Sequence, residues 1–317
     1  MARELLIQHQ SLPPGAAEAI AARLPPGIRF LPVERLWQLD PAAEVLIAAP
    51  AHGGSETAPP RPATWPGRLR WLHLRVTGID DFPDWIGEVG LFTGSRGAQS
   101  VAIAEYVLAA LLAQEKRLAE IFIRDAGDWR AHALGTLEGR TLGLLGFGTI
   151  GRAVAVRALA FGMRVLAHRR SAASPHLDGV VATDLATVLA QSDHLVLALP
   201  LTAASRALLD AAAFARMKPG AHLVNVSRGA VIDQEALRAA LDGERLAAAT
   251  LDVWDPEPPP PGHWVYTHPK VRLSPHVSYS APTTSPRATE TFIANLHRFL
   301  AGDHDAMTGK IDRQARY

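Results

Sequence analysis

The chain has 317 residues, 48% of them apolar and 20% charged, with a formal net charge of +1 at pH 7. That length is more than one ordinary core needs and fits two domains, and the balanced charge gives no electrostatic case for nucleic acid or an anionic membrane as partner. Cysteine is absent, which excludes disulfides, thiolate metal sites and a cysteine nucleophile. No apolar run is as long as a membrane span. Ser11-Leu12-Pro13-Pro14 interrupts the N-terminal stretch before a signal-peptide core could form, so the cytoplasm is the expected compartment.

Short apolar runs bounded by turn residues predict buried parallel strands over Glu4–Gln8, Val45–Ala49, Leu69–Leu74 and Val89–Thr93. Pro50–Pro66 is rich in Gly, Pro, Ser and Thr and reads as a surface loop. Ser100–Ile123 contains neither Gly nor Pro and repeats apolar residues at helical spacing, which predicts one long helix with a wide buried face. From Thr141 the alternation is cleaner. Strands are predicted over Thr141–Leu145, Arg164–Ala167, Gly179–Ala182, His194–Leu199, His222–Val226, Ala248–Val253 and Val271–Leu273. Helical segments such as Ile150–Phe161 and Gln234–Leu241 lie between them, and a last helix is expected near Arg287–Leu300. Strands joined by helix-length connections imply an α/β chain with doubly wound parallel sheets. The change of texture near Ser100 and the late helix divide the chain into a discontinuous domain, residues 1–98 and 285–317, and a domain inserted between, residues 99–284.

Thr141-Leu142-Gly143-Leu144-Leu145-Gly146-Phe147-Gly148-Thr149-Ile150-Gly151 is a strand leading through G-x-G-x-x-G into a helix. In that setting Gly146 permits a tight turn, Gly148 lets a pyrophosphate approach the backbone, and Gly151 allows close helix–strand packing. Thr149 and Ile150 open the helix, whose free N–H groups and positive dipole end suit phosphates. The inserted domain therefore reads as a Rossmann dinucleotide-binding domain. Its second strand runs into His168-Arg169-Arg170-Ser171, where an NAD site places a carboxylate on the ribose 2′-hydroxyl. Two guanidinium groups and a hydroxyl would instead pair with a 2′-phosphate. The pattern predicts NADP as the preferred cofactor, with NAD as the second choice.

Three further segments fall at predicted strand ends, where open α/β sheets bind their ligands. They are Asn225-Val226-Ser227-Arg228-Gly229, the stretch from Asp252 to Glu257-Pro258, and Ser274-Pro275-His276-Val277-Ser278. Together with the glycine loop, Leu199-Pro200-Leu201-Thr202 and Met217-Lys218-Pro219-Gly220, they resemble the D-isomer-specific 2-hydroxyacid dehydrogenases, over about Leu72 to Leu300. The resemblance implies a Rossmann cofactor domain inserted into a flavodoxin-like substrate domain. It also implies reduction of a small 2-oxo acid, of glyoxylate or hydroxypyruvate type, to the D-2-hydroxy acid. Arg228 would orient the substrate, His276 would be the general acid and base, and Glu257 its partner. Leu199, Pro200, Ser227 and Asp252 would line the cofactor, Asp252 at the nicotinamide carboxamide.

The chemistry fits those roles: a ketone needs a proton as hydride arrives, histidine titrates near neutrality, a carboxylate stabilises the imidazolium, and arginine offers a fork of donors. By the same resemblance, Val76, Thr77 and Gly78 form a loop whose backbone N–H groups hold the substrate carboxylate. The long helix from Ser100 and the segment Asp128–Leu137, with Trp129 as an anchor, correspond to an arm that forms a homodimer. No metal site is expected; His9, His73, His194 and His268 form no ligand-like group. Little chain follows Leu300, so no added regulatory domain is expected. Two alternatives stay open: a non-catalytic, nucleotide-sensing protein on the same fold, resembling dehydrogenase-related corepressors, and a dehydrogenase of larger 2-oxo acids.

Overall fold

A computed structural model describes residues 5–10, 12–35, 38–48, 61–79, 82–169 and 177–312. The chain divides into two compact units, Met1–Gln99 with Ala281–Tyr317, and Ser100–Ser280. In the first, strands β1 (Leu5–His9), β2 (Ile28–Pro32), β3 (Val45–Ala48), β4 (Trp71–Leu74) and β5 (Leu91–Gly94) form a parallel sheet in the order β2-β1-β3-β4-β5. Side-chain alternation fills a core on each face. Leu46, Ala48, Leu72, Leu74 and Phe92 point into one cluster, and Ile7, Val45, Ile47 and Trp71 into the other. Helix α1 (Ala16–Ala21) contributes Ile20 to the second cluster.

β2 is not among the strands expected from the sequence. Its side chains are half-buried or exposed, so Ile28-Arg29-Phe30-Leu31-Pro32 carries no buried-strand pattern and joins the sheet as an edge. The expected strands at Leu69 and Val89 begin two residues later in the structure, at Trp71 and Leu91, and residues 50–60 of the expected loop lie outside the described residues.

The second unit begins with α2 (Ser100–Glu115), a short α3 (Leu118–Ile121), β6 (Thr141–Leu145), α4 (Thr149–Ala160), β7 (Arg164–His168), β8 (Val180–Ala182) and α5 (Leu185–Gln191). It continues with β9 (His194–Leu197), α6 (Ala211–Arg216), β10 (Ala221–Asn225), α7 (Gln234–Asp242), β11 (Leu246–Leu251) and β12 (Val271–Leu273). Its seven strands are parallel in the order β12-β11-β10-β9-β6-β7-β8. One face packs on α2 and α4 through residues such as Val107, Leu111, Val154, Leu144 and Val196. The other packs on α5, α6 and α7 through Leu189, Phe214, Leu237, Leu195 and Leu197. Both faces are covered, which makes the sheet doubly wound.

The single helix expected over Ser100–Ile123 is two. α2 ends at Glu115 and Arg117 takes a left-handed φ of 49° before α3. The backbone itself shows why. Gly135 returns to donate its N–H to the Glu115 carbonyl at 2.9 Å, and the Lys116 ammonium donates to the Gly135 carbonyl at 2.7 Å, so a side partner replaces the next helical bond.

α8 (Thr284–Ala301) starts one turn before the expected Arg287 and belongs to the first unit. There the Arg75 guanidinium donates to the Ser285 carbonyl at 3.2 Å and hydroxyl at 3.0 Å, fastening the first turn of the helix to the end of β4. Phe292 stacks on Trp71 with ring centroids 5.2 Å apart.

Candidate active site

β6 delivers the chain into the glycine loop at the C-terminal edge of the second sheet. Gly146 has φ 98°, and a Cβ there would lie 2.5 Å from the Ala198 carbonyl oxygen, beyond the end of β9. A Cβ on Gly151 would meet the Gly146 carbonyl at 2.3 Å, so only glycine lets α4 start this close to its strand. Gly148 caps α4 with no side-chain hydrogen bond and open space where its Cβ would be. The first N–H groups of α4, from Thr149 and Ile150 onward, are thus left to a ligand, and the cradle fits a pyrophosphate.

Next to the loop, the His168 carbonyl accepts Gly146 N–H at 3.0 Å, and its ring donates Nδ1–H to the Thr183 carbonyl at 3.2 Å. Arg169 is half-buried one residue past β7; Arg170 and Ser171 lie outside the described residues. Leu199 is half-buried, and the Pro200 carbonyl accepts the Ser205 hydroxyl at 2.8 Å.

β10 ends at Asn225, which builds the turn that carries Arg228. Fully buried, its Oδ1 accepts Ser227 N–H at 3.0 Å and Ser227 Oγ–H at 2.8 Å, while its Nδ2 donates to the Arg228 carbonyl at 2.9 Å. Asn225 has no role in the sequence reading; only its place two residues before Ser227 hinted at one. After β11, the Trp254 N–H donates to Glu257 Oε1 at 3.0 Å. After β12, His276 donates Nδ1–H to Glu257 Oε2 at 2.8 Å, since a carboxylate can only accept.

The structure therefore brings His276 and Glu257 together, each about a third exposed (37% and 35%). The His276 Nε2 has no hydrogen-bond partner among the described residues. Partial burial pushes the Glu257 carboxyl up, but the His276 hydrogen bond, the charge of that imidazole, the Trp254 N–H and the Arg228 guanidinium outweigh it and hold the group below the usual carboxylate range. Asp252, 1% exposed, accepts from Ser274 Oγ, Val277 N and Ser278 N. In the first unit Val76, Thr77 and Gly78 are half-buried in the loop that leaves β4, one residue past its end.

A dinucleotide cradle, a cation and a carboxylate-bound imidazole on one sheet edge define an oxidoreductase of hydroxy acids, and comparison with known proteins agrees. Residues 108–278 match the model of the D-isomer specific 2-hydroxyacid dehydrogenase NAD binding domain. Glyoxylate/hydroxypyruvate reductase B of Pectobacterium atrosepticum is 38% identical over 246 residues, 74% of this chain and 77% of that one. D-3-phosphoglycerate dehydrogenase 3, chloroplastic, of Arabidopsis thaliana is 39% identical over 221 residues, 68% of this chain but only 38% of that longer relative. Among solved structures, a D-isomer specific 2-hydroxyacid dehydrogenase from Xanthobacter autotrophicus Py2, in complex with NADPH and MES, superposes with a TM-score of 0.81 at 26% identity, covering 100% of both chains. The chain belongs to the D-isomer-specific 2-hydroxyacid dehydrogenase family and is an NAD(P)-dependent oxidoreductase.

Proposed function

We propose that the protein reduces a small 2-oxo acid of glyoxylate or hydroxypyruvate type to the D-2-hydroxy acid, with NADPH preferred over NADH. The observation that carries this reading is the His276–Glu257 pair, one ring nitrogen tied to a carboxylate at 2.8 Å and the other open, in the unit that holds the glycine cradle. When bound in that cradle, the nicotinamide cofactor supplies a hydride. Arg228 grips the substrate carboxylate and 2-oxo group through its fork of donors. His276 holds a proton at Nε2 and gives it to the carbonyl oxygen in reduction, or takes it from the hydroxyl in oxidation. Glu257 keeps Nδ1 protonated, aims the ring and stabilises the imidazolium. Val76, Thr77 and Gly78 bind the substrate carboxylate through backbone N–H groups, and Asp252 takes the carboxamide. Gly146, Gly148, Thr149, Ile150, Gly151, Leu199, Pro200 and Ser227 line the cofactor.

Relatives named as glyoxylate and hydroxypyruvate reductases support the substrate class. A spectrophotometric screen of glyoxylate, hydroxypyruvate, pyruvate, phenylpyruvate and 2-oxoisovalerate with both cofactors tests it. Turnover confined to the bulky acids would replace the substrate class, and no turnover at all would sink the reading.

Cofactor preference rests on Arg169, with Arg170 and Ser171 beside it in sequence, where a ribose-binding acid would otherwise stand. Charge-assisted hydrogen bonds contribute about 1.5–3 kcal/mol each, so even partly solvated they favour NADPH by about ten- to a hundredfold in kcat/KM. Arg169→Asp erodes or inverts that ratio, and a wild type using both cofactors equally contradicts it.

The homodimer is proposed on the exposed aromatics of the arm, Phe122 at 73% and Trp129 at 82%. A monomeric mass by light scattering at micromolar concentration overturns it. The cytoplasm remains the proposed compartment; no helix among the described residues is long and apolar enough to cross a membrane.

A further inference from the structure

His276 stands on a left-handed backbone, φ 51°, an uncommon conformation for a residue with a Cβ. Most of the hydrogen bonds at that turn come from Asp252, beside one from the Ser274 carbonyl, which shares the His276 N–H at 3.0 Å. The Asp252 carbonyl accepts His276 N–H at 2.8 Å, Asp252 Oδ1 accepts Val277 N–H at 2.9 Å, and Oδ2 accepts Ser278 N–H at 2.9 Å. The turn carrying the imidazole is thus threaded on the backbone and both carboxylate oxygens of Asp252. Where that carboxylate points decides where the imidazole sits.

Two side chains that the proposed chemistry leaves unused fix the carboxylate in turn. Ser274 donates its hydroxyl proton to Asp252 Oδ1 at 2.6 Å. With that proton committed, the 2.7 Å contact between the Tyr106 hydroxyl and Ser274 Oγ has one polarity, tyrosine donating and serine accepting. Burial, together with the nearby charge of Asp252, raises the Tyr106 phenol above its ordinary value despite the Ser274 bond, so it remains a donor at working pH. Oδ1 then has two donors and Oδ2 one, which leaves Oδ2 a lone pair for a further N–H.

We propose that Ser274, seated by Tyr106 on α2, is a positioning residue for His276, acting through Asp252. The proposal rests on His276 being the proton-transfer residue. Without the serine proton, Asp252 loses its side-chain anchor, the turn relaxes from its left-handed state, and the imidazole drifts from Glu257.

The test uses the full-length wild type with Ser274→Ala, Ser274→Thr and Tyr106→Phe. Ser274→Ala lowers kcat about tenfold or more, as the loss of one hydrogen bond to a charged group predicts, a larger factor than the accompanying rise in the dissociation constant for NADPH or NADH by fluorescence titration, since Asp252 also takes the carboxamide. Ser274→Thr keeps the hydroxyl and restores kcat to within about twofold, and Tyr106→Phe gives a smaller loss of the same kind. A readout independent of turnover is the imidazole nitrogen NMR spectrum. The hydrogen-bonded His276 Nδ1–H signal weakens in Ser274→Ala and returns in Ser274→Thr. Should Ser274→Ala fail to fold, Tyr106→Phe carries both measurements.

Wild-type kcat and an unchanged signal in Ser274→Ala, or in Tyr106→Phe where that variant stands in, overturn the proposal. So does weaker cofactor binding with kcat intact, which would assign the relay to the cofactor. A wild type without turnover on any 2-oxo acid defeats the proposed reaction instead, and the nitrogen signal alone then decides the positioning role.

Discussion

At the C-terminal end of the seven-stranded sheet, His276 meets Glu257 at 2.8 Å with its side chain 37% exposed. At the N-terminal end of the same sheet, His194 meets Glu115 at 3.1 Å with its side chain 1% exposed. The partners are alike and the outcomes differ. The His194 Nε2–H goes to Glu115, so in the neutral ring Nδ1 must accept. It takes the Nδ1–H of His222 at 3.2 Å, and His222 Nε2 takes the Thr250 hydroxyl at 2.9 Å. One arrangement of protons satisfies both neutral rings completely. Burial is the largest influence on each, and it lowers His194 in spite of Glu115 and holds His222 well below its ordinary value. A carboxylate beside an imidazole therefore does not by itself make an acid–base group. That needs an open nitrogen and access for the molecule that receives the proton, and it is in these two respects that His276 differs from His194.

The sharpest way to break this contrast is to remove each imidazole. His276→Ala should cut kcat by about 10²–10⁴-fold with cofactor affinity unchanged, since proton delivery is a transition-state function. Steady-state kinetics beside a binding titration check it, and near-normal activity across pH would refute the assignment. Arg228→Lys, which keeps charge but loses the fork, should lower kcat/KM by about 10²-fold through the 2-oxo acid, with the cofactor constant unmoved.

Acid sharpens the buried side of the comparison and extends it to the first unit. There His73 is bonded on both nitrogens, to Thr93 at 2.8 Å and Ser95 at 3.0 Å, and burial, aided by the Arg75 charge, pushes it from 6.5 down to about 3. The unfolded chain takes up that proton first. Stability is whole above about pH 6.5 and falls as pH drops toward 3, by about 1.4 kcal/mol per pH unit from His73 alone. His194 and His222 add in the same sense. Unfolding free energies from denaturant titrations at pH 7.5 and about pH 5 should differ by about 2 kcal/mol or more; equal values would contradict the buried neutral rings. The smallest effect is expected from His222→Leu. It leaves His194 Nδ1 and the Thr250 hydroxyl without their partner and should cost about 1–3 kcal/mol of stability while kcat per folded enzyme stays unchanged. A fall in kcat would mean that the two ends of the sheet are coupled.

Legibility followed range. The glycine loop, the strand ends and the residue types at Arg228, Glu257 and His276 could be read because each signal lies within a dozen neighbouring residues. β2 could not, because an edge strand with half-wet side chains has no apolar pattern. The break after α2 could not, because the group that ends the helix, Gly135, comes from a segment with no periodicity of its own. Tyr106 was one more residue on an apolar helix, since its partner Ser274 is 168 positions away. Asp252 carried a family role but gave no sign that it threads the turn of His276. Local chemistry is written in order along the chain, and hydrogen bonds between distant elements are not.

α8 has a consequence for how the molecule is made. Phe292, Ile293, Leu296 and Phe299 complete a core with Ile7, Ile20, Val45, Ile47 and Trp71 from residues 1–99 of the same unit. On a ribosome those strands emerge before α8, so one face of their sheet has only α1 to cover it until α8 is made. Residues 100–280 can meanwhile assemble their own sheet. The first unit is thus closed only after the second has been made, and the nascent chain carries a partly covered apolar sheet face while residues 100–280 are synthesised, a natural target for the chaperones that attend translation.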